Sequence, residues 1–311
     1  MRRLLIKHQL EPADVDAVEE LLELAAEADG HRAVDEHRWL DMAAGGRASF
    51  AGLVASEPGH GHPVGYAQVS RGQAGDGPAN WALDLVVDPH HRDHGLAIGT
   101  ELLGAALALV RGEGGGHVHL WVYRPTDTHD ALARALDLRR GRDLLQLRRS
   151  LPLGVDGHDA GVTVRPFRPG VDEEAWLTVN NRAFDWHPEQ GGWDLATVAA
   201  REAEPWFDPA GFLLHEREGR LAGFCWTKVH SDHDPPLGEI YVIAVDPDFQ
   251  GLGLGRHLTV SGLEWLAGRG LGVAMLYVDA ANTAARQLYE DLGFAVDHID
   301  RAYVGDVSSP G

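Results

Sequence analysis

Apolar and polar positions along the chain fall into one order of short runs that occurs twice. A short β-rich run at residues 4–9 leads into an acidic segment at 14–28, where Leu or Val recurs at helical spacing; residues 162–167 and 172–184 repeat the pair. Strand-like runs follow at 49–56 and 64–70, then at 211–216 and 222–229, bounded by turn residues. Each half then carries a strongly apolar run ending at Val87 or Val245, a glycine loop and an apolar helix. Further β-rich runs at 118–122 and 273–278 precede a short helix and a terminal strand.

The repeat is also literal. Leu85-Val86-Val87-Asp88-Pro89 returns as Ile243-Ala244-Val245-Asp246-Pro247, 158 positions on. Gly95-Leu96-Ala97-Ile98-Gly99 and Leu120-Trp121-Val122 return 156 positions on, so the first half has two extra residues after Pro89. A period this long means duplicated domains rather than a solenoid. The stretch 150–161 is rich in small, turn-forming residues and places the division there, giving domains 1–152 and 161–311.

Composition narrows the class. With 311 residues, 44% hydrophobic and 24% charged, the chain has ample material for cores. A net charge of −20 opposes phosphate backbones and anionic lipid, so neither nucleic acid nor membrane is an expected partner. One cysteine, Cys225, excludes an internal disulfide and fits a reducing cytoplasm. The N-terminal residues turn acidic before an apolar signal region develops, and the longest strongly apolar run, at 102–110, is about half a membrane span. The expectation is a cytoplasmic monomer. The histidine pairs His60/His62, His90/His91 and His117/His119 match no metal-ligand pattern, so no metal is expected.

The second glycine loop runs from a strand straight into a helix. Gly251, Gly253 and Gly255 would let N–H groups at the helix start approach a pyrophosphate, with the helix dipole adding favourable potential. The alternating glycines do not fit the G-x-G-x-x-G dinucleotide turn, and Arg256-His257 does not fit a Walker loop. Val245, Pro247, Gln250, Gly253 and Gly255 fit V-x-P-x-x-[QR]-x-x-G-x-[GA] instead, and Asn282, Ala285, Tyr289, Gly293 and Phe294 fit N-x-x-A-x-x-x-Y-x-x-x-G-F. These two linked motifs resemble the GNAT N-acetyltransferase superfamily.

The resemblance implies an α/β fold of two tandem GNAT-like domains, each a central mixed sheet flanked by helices, with acetyl-CoA as co-substrate. It implies acyl-CoA contacts at Ile243, Ala244 and Val245 on the strand, at Gln250, Gly251, Leu252, Gly253, Leu254, Gly255 and Arg256 in the loop, and at Asn282, Ala285 and Arg286. The first half keeps Leu85, Val86, Val87, Arg92, Gly95 and Ala97, but has Ala133 for the tyrosine and Asp137-Leu138 for Gly-Phe. It is read as a degenerate domain that holds CoA without chemistry.

Transfer from a thioester to an amine needs a base, an oxyanion donor and a proton for the leaving thiolate. Glu239, at the start of the strand before the loop, is the candidate base; Tyr289 is the candidate acid and the Val245 N–H the carbonyl donor. Taken alone, Glu239 also reads as an exposed strand-end carboxylate and Tyr289 as a core tyrosine. The stretches 180–193 and 224–230, together with G-E-I-Y-V at 238–242, further resemble tandem members of the family that acetylate the cysteinyl amine of a cysteine–glucosamine–inositol conjugate. That likeness implies Lys228, Tyr277, Glu189 and Glu36 as ligands of a small polyhydroxylated amine, with Asp185 competing for the place of Glu189. Another amine acceptor, or a non-catalytic acyl-CoA-binding module, remains the alternative.

Overall fold

The computed structural model describes residues 2–34, 42, 49–72, 79–154, 161–185, 192–231 and 233–309. They form two compact units, Met1–Leu144 with Ile299–Gly311, and Leu145–His298.

In the first unit, β1 (Arg3–Lys7), β2 (Phe50–Ser56) and β3 (Gly65–Arg71) are antiparallel neighbours, and β4 (Asn80–Val87) continues the sheet. Helix α1 (Pro12–Asp29) starts with Pro12 in its first turn and a reciprocal Glu11/Asp14 capping box. After a 3-10 turn at Pro89–His94, α2 (Gly95–Gly112) returns the chain to β5 (Gly116–Tyr123), which pairs parallel with β4. Helix α3 (Asp127–Ala135) then leads into β6 (Arg139–Ser150).

Helix α2 buries Ile98, Leu102, Leu103, Ala106 and Val110, the spacing of one helix face. Together with the preceding 3-10 turn, Pro89–Gly112 is long and apolar enough to span a membrane by length and composition, which the shorter apolar run in the sequence does not convey. The apolar face is committed to the first unit's core, against Leu53, Ala67, Leu83 and Leu120.

The second unit contains β7 (Arg165–Pro166), α4 (Glu173–Ala183), α5 (Leu195–Glu202), β8 (Phe212–Arg217), β9 (Arg220–His230) and β10 (Leu237–Val245). A 3-10 turn at Pro247–Phe249, α6 (Leu254–Gly268), β11 (Val273–Asp279) and α7 (Thr283–Asp291) follow, before β12 (Ala295–Val307). Strands β7 to β10 are antiparallel neighbours, and β10 pairs parallel with β11. Helix α5, absent from the sequence reading, is started by Asp194, whose carboxylate accepts the Thr197 N–H at 2.8 Å.

An aromatic core fixes this sheet to α4. Trp176 is fully buried and meets Trp193, Phe212, Phe224 and Trp226 edge-on, while Phe212 stacks on Trp226 at 4.3 Å. Such pairs add about 0.5–1.5 kcal/mol each beyond their burial.

The units differ from the sequence-based division at the terminal strands. Residues 145–150 of β6 belong to the second unit, and Ile299 onward in β12 belongs to the first, where Asp300–Val307 pairs antiparallel with β5. An apolar–polar alternation shows that a segment is a strand but not which sheet edge it joins.

Candidate functional site

In the second unit the parallel ladder of β10 and β11 covers only Gly238↔Ala274, Glu239↔Met275 and Ile240↔Leu276. The register of β10 against β9 shifts between Ile240 and Val242, which makes Tyr241 a bulge at the point where the parallel ladder stops. Beyond it, the Asp246 N–H donates to the Ala222 carbonyl at 2.9 Å, on the β9 side. Peptide groups alternate in direction along a strand, so the Val245 N–H points to the opposite, β11 side. The half-buried Ile243 and Val245 share one face. The side chain of Ala244, expected along the acyl arm, is instead buried in the aromatic core with Val242.

The loop after β10 is held from behind. Asp246 is buried; its carboxylate accepts the Asp248 N–H at 2.9 Å and an Arg182 guanidinium N–H at 2.9 Å, while Arg182 and Arg220 also hold Asp248. Gly251 and Gly253 have φ of +78° and +74°, left-handed values that favour glycine, and neither has a neighbour closer than 3.9 Å where a side chain would stand. Helix α6 starts at Leu254, so its first N–H groups lack intrahelical partners. Gln250, Leu252 and Arg256 are exposed around this turn.

Helix α7 adjoins this turn, since a Cβ on Gly255 would lie 3.5 Å from Leu288. Asn282 caps α7 by accepting the Ala285 N–H at 3.1 Å, a structural use for two residues expected to touch CoA. Arg286 donates one guanidinium N–H to the Ala280 carbonyl at 3.1 Å, while its Nε is buried without a partner. An open glycine turn, a helix N-terminus and an orphaned arginine donor fit a phosphate-bearing molecule. Tyr289, also on α7, is buried with its ring 5.8 Å from Phe294, and burial pushes its phenol well above the usual range.

Glu239 lies at the closed end of the strand splay, 7% exposed, with His230 Nε2 2.7 Å from its Oε2. Lys228 is its register partner on β9. The Lys228 ammonium sits 4.5 Å from the Trp206 ring centre and 5.7 Å from that of Tyr241. Burial raises the Tyr241 phenol, against a hydrogen bond from Arg201 that lowers it. Tyr277 stands on the splayed part of β11 and accepts a hydrogen bond from Gln146 at 2.7 Å. Glu36 and Glu189 lie outside the described residues; Asp185 follows the end of α4.

A model of the acetyltransferase (GNAT) family matches residues 15–136 and 178–294. The chain belongs to the GNAT acetyltransferase family. It is an N-acetyltransferase with two GNAT regions in tandem. Its relatives include mycothiol acetyltransferases of Acidimicrobium ferrooxidans, 46% identical over 88% of each chain, and of Thermobispora bispora, 44% identical over 94% of this chain and 96% of the relative. Among solved structures, a GCN5-related N-acetyltransferase from Sphaerobacter thermophilus has a TM-score of 0.69 at 23% identity, covering 99% of this chain and 96% of that one. A tandem GNAT protein from the clavulanic acid biosynthesis pathway has a TM-score of 0.67 at 18% identity, covering 100% of both chains. These two likenesses concern the fold.

The first GNAT region repeats the architecture with a different loop. Parallel pairing of β4 and β5 stops at Leu83↔Leu120, and the Asp88 N–H donates to the Val64 carbonyl, turning the Val87 N–H toward β5. A cavity of about 290 Å³ opens there, lined by Leu85, Val86, Val87, Arg92 and Gly95 among others. Ala97 does not line it and is exposed on α2. Arg92 is clamped by Asp29 at 2.6 and 2.7 Å, and Gly95 has an ordinary helical φ of −57°. Asp137 takes the left-handed φ, +56°, of its counterpart Gly293, and Leu138 is buried in the position of Phe294.

Trp206 belongs to no motif in the sequence, while His230 and Tyr241 lie within the resembling stretches 224–230 and 238–242, where the resemblance implies no role for them. The link of His230 to Glu239 depends on the β9–β10 register, and that of Trp206 to Lys228 on a contact distant in sequence; neither carries a motif. Among the described residues, Glu57, His60 and His91 could share a metal ion by distance; Glu57 is already engaged by Arg2, and His91 by Asp88.

Proposed function

We propose that this chain acetylates the cysteinyl amine of cysteinyl-glucosaminyl-inositol, completing mycothiol, and that the second unit does the chemistry. The observation that carries the site assignment is the buried Glu239 at the closed end of a strand splay whose open end leads to a glycine turn and helix N-terminus. The relatives named mycothiol acetyltransferase, matched over most of both chains, support the acceptor.

Acetyl-CoA supplies an activated thioester when bound. Its phosphates suit the turn Gln250–Arg256 and Arg286, and its acyl arm suits the half-buried face of Ile243 and Val245. Glu239 takes a proton from the substrate ammonium, which frees the lone pair for attack. The Val245 N–H, directed into the splay, steadies the oxyanion that develops on the thioester carbonyl. Tyr289, a phenol and so protonated at neutral pH, gives its proton to the departing thiolate. Lys228 and Tyr277, with Glu189, hold the polyhydroxylated acceptor. The first unit, with Ala133 in the place of the acid, holds CoA without turnover.

The test is thiol release from acetyl-CoA with cysteinyl-glucosaminyl-inositol, run beside a peptide N-terminus, a polyamine and an aminoglycoside. The proposal expects the first acceptor to dominate in kcat/KM. Preference for another amine would keep the acetyltransferase and remove the acceptor.

A further inference from the structure

We infer that His230 is the positioning residue of Glu239: its Nε2–H pins one carboxylate oxygen, leaving the other to receive the substrate's proton. This rests on the reading of Glu239 as the base. The 2.7 Å contact joins two side chains that are only 17% and 9% exposed, at the last residue of β9 and near the start of β10. An ionised carboxylate only accepts, so Nε2 carries the hydrogen in the resting site.

The physical need is specific. A carboxylate removed from water drifts toward its protonated form, in which it cannot act as a base at neutral pH; a donor that bonds the charged form opposes that drift. Lys228, the register partner of Glu239, has its ammonium over Trp206 and Tyr241. Among the described residues, Tyr241 on β10 interacts electrostatically with the carboxylate, and His233 in the β9–β10 connection meets the His230 ring edge-on at 5.7 Å. That contact backs the imidazole against turning away. The dyad therefore fixes the orientation of the base, and His230 transfers no proton to substrate.

The experiment is the pH profile of kcat/KM for wild type, His230→Ala and His230→Gln, with unfolding temperature as a control. Losing a donor to the carboxylate moves the acid limb to higher pH, by about one to two units for a hydrogen bond to a charged group. His230→Ala is expected to lose progressively more activity than wild type as pH falls, and to approach wild type at alkaline pH. His230→Gln, which keeps an N–H donor, is expected to recover most of the limb. Should His230→Ala fail to fold, His230→Asn, too short to reach, carries the same expectation. A curve lowered equally at every pH, or an unmoved limb, overturns the inference. Glu239→Gln separates the two readings: wild-type activity in that variant removes the base itself, whatever His230 does.

Discussion

Asp88 and Asp246 perform the same task in the two units, each buried and each closing the turn after a sheet strand by accepting the N–H of the residue two positions on. The distances are 2.8 Å to His90 and 2.9 Å to Asp248. What differs is the second layer. Asp246 is held by Arg182, whereas Asp88 is held by His62, His90 and His91. Replacing either aspartate by Ala leaves buried donors unpaired, and we expect a loss of about 1–3 kcal/mol in denaturant unfolding. Asp246→Ala should also weaken acetyl-CoA binding, because the phosphate turn follows directly from it.

The histidine shell of Asp88 gives the first unit a defined acid response. Burial acts to raise this carboxyl, but the His90 N–H and the imidazoles of His62, His90 and His91 outweigh it and bring it from 3.8 to about 2. A depressed carboxyl contributes stability that is complete above its unfolded value and is lost as pH falls through the folded one. The contribution, on the order of 2 kcal/mol, should therefore disappear between about pH 4 and pH 2. Melting temperatures of wild type and Asp88→Asn should converge across that window, while a constant gap would contradict the account.

The two glycine loops predict opposite responses to one methyl group. Gly253 has φ +74°, so alanine there is strained by roughly 1 kcal/mol although space is open, and acetyl-CoA affinity should fall. Gly95 is helical with nothing within 4 Å of a built Cβ, so Gly95→Ala should leave stability unchanged or raise it by a few tenths of a kcal/mol. Calorimetric titration and thermal melts of both variants check the contrast.

Lys228 is oriented by aromatic faces, and the role proposed for it in holding the acceptor should appear in KM. Lys228→Met should raise the acceptor KM with a smaller change in kcat and none in the acetyl-CoA constant. Trp206→Ala, which removes the nearer ring, should reproduce part of that rise; a cation–π contact is worth about 0.5–2 kcal/mol.

Much of this architecture is legible along the chain because the duplication keeps its punctuation. Asp-Pro, the alternating glycines and Asn282 each mark a turn or cap whose backbone the structure reproduces. The terminal strand is not legible in the same way, since nothing in the pattern of β12 specifies that it pairs with β5. His230 is hidden for a related reason: the β9–β10 hairpin register brings it to Glu239. Ala244 shows the converse, a residue inside a motif whose side chain serves the core rather than the cleft.

The central claim is that acetyl transfer depends on Glu239 in the second unit. Its most direct test is single-turnover transfer by Glu239→Ala at saturating acetyl-CoA and cysteinyl-glucosaminyl-inositol, with acetyl-CoA affinity measured on the same sample. The account predicts a rate lowered about 10²–10⁴-fold with affinity essentially unchanged. A rate within a few fold of wild type would contradict it.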